Sequence, residues 1–197
     1  LAICVDALTP LDGIRSVLDA GCGEASLAAA LADAGFRGLY RGEDVLAAMI
    51  DRASSRATPD GVRVELVVAD AFEPAPGSMM DAVICSGALN TASGRDPTAE
   101  ALDALKTLWA RAREVLVLDV AVAGRHHGGS GIAPVDLAAL SSAARSLAPA
   151  VIVRDDGPPG EATLVLRRSR AHRLARLWPD SDRALERARL LLAAGQA

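Results

Sequence analysis

Three acidic residues stand at matching places in this 197-residue chain. Each ends an apolar run and is followed by a turn or a helix-forming stretch. Asp19 lies in Val17-Leu18-Asp19-Ala20-Gly21-Cys22-Gly23, Asp44 in Tyr40-Arg41-Gly42-Glu43-Asp44-Val45, and Asp70 in Val68-Ala69-Asp70-Ala71-Phe72. A carboxylate can only accept hydrogen bonds, so acids at such places suit hydroxyl or amino groups of a ligand. Glycines at 21 and 23 let the backbone approach that ligand with no Cβ in the way. The chemistry on offer is the cradling of a small polar ligand that tolerates negative neighbours.

A dinucleotide is a poor candidate. Its fingerprint needs a third glycine three residues after the second, and Ser26 stands there. Asp19 would also face the pyrophosphate with like charge. Plainer readings stay open for each acid. The glycine loop can be an ordinary strand-to-helix turn, Asp44 a helix N-cap, and Asp70 a turn former.

Alternating elements must position these residues. Apolar runs at Val17–Ala20, Gly38–Glu43, Val62–Ala69, Ala82–Ser86 and Glu114–Val120 read as strands. Helical stretches are expected over Ala25–Ala34 (closed by Gly35), Leu46–Ala57 (Leu46, Met49, Ile50 and Ala53 on one face), Asp96-Pro97 to about Ala112, and Pro134–Leu147. Gly124–Gly131 reads as a loop. Val151–Arg154 and Ala162–Arg167 are joined by a turn too short for a crossover helix, so they form an antiparallel hairpin. Asp182–Ala194 reads as a last helix. Strands alternating with helices predict a parallel sheet covered on both faces, with the ligand at the carboxyl ends of the strands.

Composition narrows the class. Half of the residues are hydrophobic, but there are only two Trp, one Tyr and two Phe, so Ala, Leu and Val must supply the core. The formal charge of −4 is uneven: acids outnumber bases up to residue 166, and Arg outnumbers acids from Arg167 onward. An acidic body argues against nucleic acid binding there, while the basic tail keeps the question open. Cys4, Cys22 and Cys85 show no zinc or disulfide spacing, and a reduced, cytoplasmic protein fits. No apolar run reaches membrane-span length.

In order and spacing these segments resemble the class I (Rossmann-like) S-adenosylmethionine-dependent methyltransferase family. The likeness runs from about Val17 to Arg167. It implies an α/β fold with a doubly wound, mostly parallel seven-stranded sheet and a C-terminal antiparallel hairpin. It also implies S-adenosylmethionine as cofactor. Gly21, Cys22 and Gly23 would line the methionine and ribose part, and Asp19 would help hold the amino end. Asp44 would accept from the ribose diol, with Val45 packed on the adenine. Asp70 would take the adenine amino group, and the backbone of Ala71 and Phe72 would reach the ring. Met80 to Asn90 is similar to the family's fourth strand and the loop after it, with Ser86 offering backbone contacts. Asn90 stands where many small-molecule members have His. The Asn/Asp-Pro-Pro-aromatic signature of amino-group DNA methyltransferases is absent. So is the Pro-Gly-Gly turn before strand five, where this chain has Trp109-Ala110-Arg111-Ala112-Arg113.

Methyl transfer needs proximity and a dry site more than acid–base help. If the acceptor must lose a proton, His126 and His127 are the candidate bases; they can equally be exposed loop residues. Asn90 can place a substrate oxygen. Cys22 and Cys85 read as small core residues, and no metal site is expected. Residues 1–168 are expected to form the cofactor-binding domain, with 169–197 a basic helical extension packed on it. Three functions follow. The first is methyl transfer to an O, N or C nucleophile of a small molecule. The second is methyl transfer to RNA or a carrier-bound substrate docked on Arg167, Arg168, Arg170, Arg173 and Arg176. The third is a non-catalytic cofactor-binding partner subunit. The third draws on how little chain precedes Val17, where family members usually carry helices. A homodimer through the last helix is a further expectation.

Overall fold

The computed structural model describes residues 1–9, 11, 13–73, 79–125 and 131–169. His126, His127, Arg170, Arg173, Arg176 and the expected helix 182–194 lie outside them, as does nearly all of the expected extension 169–197.

In chain order the elements are α1 (Ala2–Leu8), β1 (Ser16–Ala20), α2 (Ser26–Asp33), β2 (Leu39–Asp44), α3 (Ala47–Ser54), β3 (Arg63–Val68), β4 (Met80–Ser86), α4 (Pro97–Arg111), β5 (Ala112–Ala121), α5 (Leu137–Leu147), β6 (Ala150–Arg154) and β7 (Glu161–Arg167), with a 3-10 turn at Ala88–Asn90 between β4 and α4. The seven strands form one sheet in the order β3-β2-β1-β4-β5-β7-β6. The first five are parallel, and β7 runs antiparallel to both β5 and β6. The doubly wound sheet and the terminal hairpin are thus as expected. The order reverses between β1 and β4, so the crevice lies beyond the ends of those strands.

Alternation along each strand divides the core in two. Leu18, Val83, Cys85, Leu116, Leu118, Leu164 and Leu166 face α4 and α5, against Leu105, Leu108 and Leu140. Val17, Tyr40, Ala82, Ile84, Val117 and Val165 face α1 and α2, against Cys4, Leu8, Leu27 and Leu31. Asp81, the acid that enters β4, sets its register against β1. Its Oδ2 accepts from the N–H groups of Arg15 and Ser16 at 2.9 and 3.0 Å, and Ser16 Oγ takes the Asp81 N–H.

Local chemistry moves several boundaries. α3 ends at Ser54 rather than Ala57, and Leu46 is its exposed N-cap, not part of its buried face. α5 begins at Leu137 rather than Pro134, because Asp136 Oδ1 accepts from the N–H groups of Ala138 and Ala139 and fixes the start there. Asp96 caps α4 as expected, taking the Ala99 N–H. α4 passes straight into β5, with no loop where a Pro-Gly-Gly turn would sit. α1 was not expected. It buries Cys4, Ala7 and Leu8 on the sheet, and Arg154 of β6 pairs with its Asp6. A short helix therefore does precede β1, packed on the face of the sheet.

Candidate functional site

Gly21 and Gly23 serve different needs. Gly21 has φ +73°, and a Cβ there would meet Ala88 Cβ at 2.3 Å. The glycine thus lets the loop after β1 close on the turn after β4. Its N–H and that of Cys22 donate to Glu43 O at 2.8 and 3.0 Å, which docks the loop on the end of β2. Gly23 has φ +53°, and no atom lies within 4 Å of where its Cβ would be. It opens onto the space above the sheet edge.

Asp44 ends β2, and its carboxylate holds two segments. Oδ2 accepts from Gly23 N–H at 2.9 Å, and Oδ1 accepts from Leu46 N–H at 2.9 Å. Each oxygen keeps a further lone pair. Asp44 is not the N-cap of α3; Leu46 is. Asp70 is exposed and makes a turn of its own, its Oδ1 taking the Phe72 N–H at 2.9 Å. Ala71 between them is buried.

Val45, Asp70 and Phe72, from two strand ends, line one cleft of about 380 Å³ with Ala88 and Leu89. Val45 presents a 59% exposed apolar side chain to it. Ser93, Arg95, Glu100 and Asp103 form its polar rim. The other expected contacts, Asp19, Gly21, Cys22, Gly23, Asp44 and Ser86, are not among the residues that line it. Asp19 is buried and accepts from Tyr40 Oη at 2.5 Å. Burial pushes its carboxyl up to about 6, against the opposing effect of the Tyr40 hydrogen bond. Burial pushes the Cys22 thiol up to about 12, and the Cys85 thiol rises for the same reason. Neither is a nucleophile near neutral pH.

Ser86 turns its hydroxyl toward Asp119 on β5, at 3.4 Å. Thr163 donates to the other oxygen of Asp119 at 3.1 Å. Burial raises the Asp119 carboxyl, and the two hydroxyls offset this only in part. Asn90 sits in the 3-10 turn, where its Oδ1 accepts the Ala121 N–H at 2.8 Å. That bond ties the segment after β4 to the end of β5.

Sequence reasoning missed Asp119 and the buried pair Glu43–Arg111. Glu43, buried on β2 next to the half-buried Asp44, finds its partner far along the chain. Arg111, in place of the missing turn glycines, was the available signal. Its guanidinium grips Glu43 at 2.8 and 2.9 Å, and Arg41 Nε adds a bond at 2.8 Å. Burial pushes the Glu43 carboxyl up, but the hydrogen bonds from Arg111 and Arg41 outweigh it and hold the carboxyl below its ordinary value.

Residues 17–115 match the model of a methyltransferase-domain family. The chain belongs to that family. No curated protein sequence matches this methyltransferase-domain chain. Among solved structures it is similar to magnesium protoporphyrin IX methyltransferase from Synechocystis PCC 6803, crystallised with bound SAH. The identity is 23% and the TM-score 0.67, over 85% of this chain and 81% of that one. The sugar N-methyltransferase KedS8 from Streptoalloteichus sp ATCC 53650 is 20% identical with TM-score 0.60, over 85% and 86%. The amino pentose methyltransferase CalS10 from Micromonospora echinaspora, solved with SAM bound, is 17% identical with TM-score 0.62, over 85% and 89%. The expected family and fold are therefore borne out. Among the described residues no helix is long and apolar enough to cross a membrane, and no cluster of His, Cys, Asp or Glu is arranged to hold a metal.

Proposed function

We propose that this chain binds S-adenosylmethionine along the carboxyl edge of β1, β2 and β3 and transfers its methyl group to an O, N or C nucleophile of a small molecule. The observation that carries the reading is the cleft where Val45, Asp70 and Phe72 meet the turn after β4, whose Ala88 closes on Gly21 of the loop after β1. Such a cleft fits a flat base on Val45 and Phe72, with the Asp70 carboxylate at its amino edge. Asp44, with lone pairs to spare, accepts from the ribose hydroxyls. Gly23 admits the methionine part without steric conflict.

The cofactor supplies a methyl group already activated on a sulfonium. What the chain adds is alignment and the exclusion of water. The buried Asp19 stands close behind the glycine loop, where an acid is compatible with the positive charge of the ligand. When an acceptor must lose a proton, His126 or His127 serves as base, and the Asn90 NH₂ orients an acceptor oxygen. The three solved relatives named above include enzymes described as acting on a porphyrin and on sugars, which supports a small acceptor.

The docking of RNA or a carrier protein on the basic tail is weakened at its root. Arg167 is buried and donates to Ala7 O at 2.6 Å. Arg168 donates to the carbonyls of Trp109 and Ala112 and lies 4.2 Å over the Trp109 ring. Both cations are committed to the domain itself. The test is release of S-adenosylhomocysteine from labelled cofactor with pooled small-molecule amines, alcohols and phenols, compared with RNA. Turnover with a small acceptor is expected; turnover confined to RNA would overturn the reading.

A further inference from the structure

Arg111 is 3% exposed, and one guanidinium there reaches two of the three strand ends that build the cleft. It grips the Glu43 carboxylate with two hydrogen bonds, and its Nη1 also donates to Ala71 O at 3.0 Å. Ala71 lies between Asp70 and Phe72, both in the cleft wall. Glu43 precedes Asp44, and its backbone carbonyl holds the N–H groups of Gly21 and Cys22. The loop after β1, the end of β2 and the turn after β3 thus share one anchor. The direct passage of α4 into β5 fixes where that anchor stands.

As a stability device the pair is poor. Burying two charges costs as much as their attraction returns unless every polar atom is satisfied, and among the described residues the buried Arg111 Nε meets no partner. A planar fork that meets a carboxylate and a carbonyl together is instead a precise spacer.

We propose that Arg111 is a positioning residue for base recognition: by holding the Ala71 carbonyl against Glu43 it sets Asp70 and Phe72 in register with Val45, so that the cleft reads the amino group of adenine. This rests on the reading of the cleft as the adenine site. Arg111 touches no ligand atom; it acts through the turn it holds.

The test is calorimetric titration of two ligands, S-adenosylhomocysteine and its analogue with hypoxanthine in place of adenine. The wild type is expected to favour adenine by about tenfold or more, because hypoxanthine presents a carbonyl to the Asp70 carboxylate. Arg111→Lys keeps the charge beside Glu43 but cannot span to Ala71 O. It is expected to bring the ratio toward one, mainly by weakening the adenine ligand. An unchanged ratio in a folded Arg111→Lys protein overturns the proposal, even if both affinities fall together. A wild type with no preference overturns the reading of the cleft itself. If Arg111→Lys does not fold, Arg111→Met with Glu43→Leu carries the same test, since an apolar pair of similar volume is tolerated at such sites. Failure of both variants to fold would make the pair structural and also overturn the proposal.

Discussion

The backbone N–H of Gly23 donates to Asp44 Oδ2 at 2.9 Å. An acid at the end of β2 thereby fixes the loop at the end of β1, from its own place beside the cleft. Asp44 is at once part of the frame and part of the proposed ribose site. Asp44→Ala is expected to weaken S-adenosylhomocysteine binding by about tenfold or more, the loss of one or two charge-assisted hydrogen bonds. Asp44→Asn keeps an oxygen for Gly23 and is expected to lose less. Calorimetry on the two variants separates the outcomes; unchanged affinity in both would remove Asp44 from the site.

The two loop glycines should fail in different ways. Gly21→Ala forces a Cβ to 2.3 Å from Ala88 Cβ at a left-handed φ. A destabilisation of about 2–4 kcal/mol is expected, from strain and overpacking together. Gly23→Ala meets nothing in the protein, so about 1 kcal/mol of backbone strain is expected. Its larger effect should be on the ligand, whose space it enters. Thermal melts and ligand titrations on both variants test this crossing. Equal effects on stability would contradict it.

Asp19 gives a stability signature with a definite sign. Its carboxyl is raised from 3.8 to about 6 in the folded protein by burial. Between those values the folded state holds the proton more tightly than the unfolded state, so stability falls as pH rises through the window. Asp19→Asn stays neutral and still accepts from Tyr40. The variant should gain on the wild type by about 3 kcal/mol from acid to neutral pH, at about 1.4 kcal/mol per pKa unit over the shift from 3.8 to about 6. Denaturant titrations below and above that window check it; a gap independent of pH would mean that folding leaves the Asp19 carboxyl at its ordinary value.

Arg168 should behave as a structural cation. Arg168→Ala removes the stacking on Trp109 and the bonds to the Trp109 and Ala112 carbonyls. A loss of about 1–2 kcal/mol of stability is expected, with no change in the salt dependence of substrate binding. A reduced salt slope with unchanged stability would restore the docking reading for this residue.

Much of this was legible in the sequence because it rests on local chemistry. Apolar runs between turn residues mark the strands, Asp96-Pro97 marks the start of α4, and the short connection from Arg154 to Ala162 forces the hairpin. What was hidden depends on distant partners or weak signals. α1 has seven residues and no capping side chain, so nothing announces it. The start of α5 depended on whether Pro134 or Asp136 set the boundary, and the side-chain cap won. Glu43 and Arg111 are 68 positions apart, and only the fold brings a strand end to a helix end. Asp119 looks like one polar residue in an apolar strand until Ser86 and Thr163 are seen on either side. The acids at 44 and 70 could be placed at strand ends from the sequence; that Asp44 also holds the glycine loop could not.

The most direct measurement is calorimetric titration of S-adenosylhomocysteine into the intact chain and into Val45→Asp. The wild type should bind one equivalent saturably. Val45→Asp, which puts a charge on the exposed apolar wall of the cleft, should lose that binding while melting at nearly the same temperature. Absence of binding by the wild type, or undiminished binding by a folded Val45→Asp protein, would contradict the placement of the cofactor at this edge of the sheet.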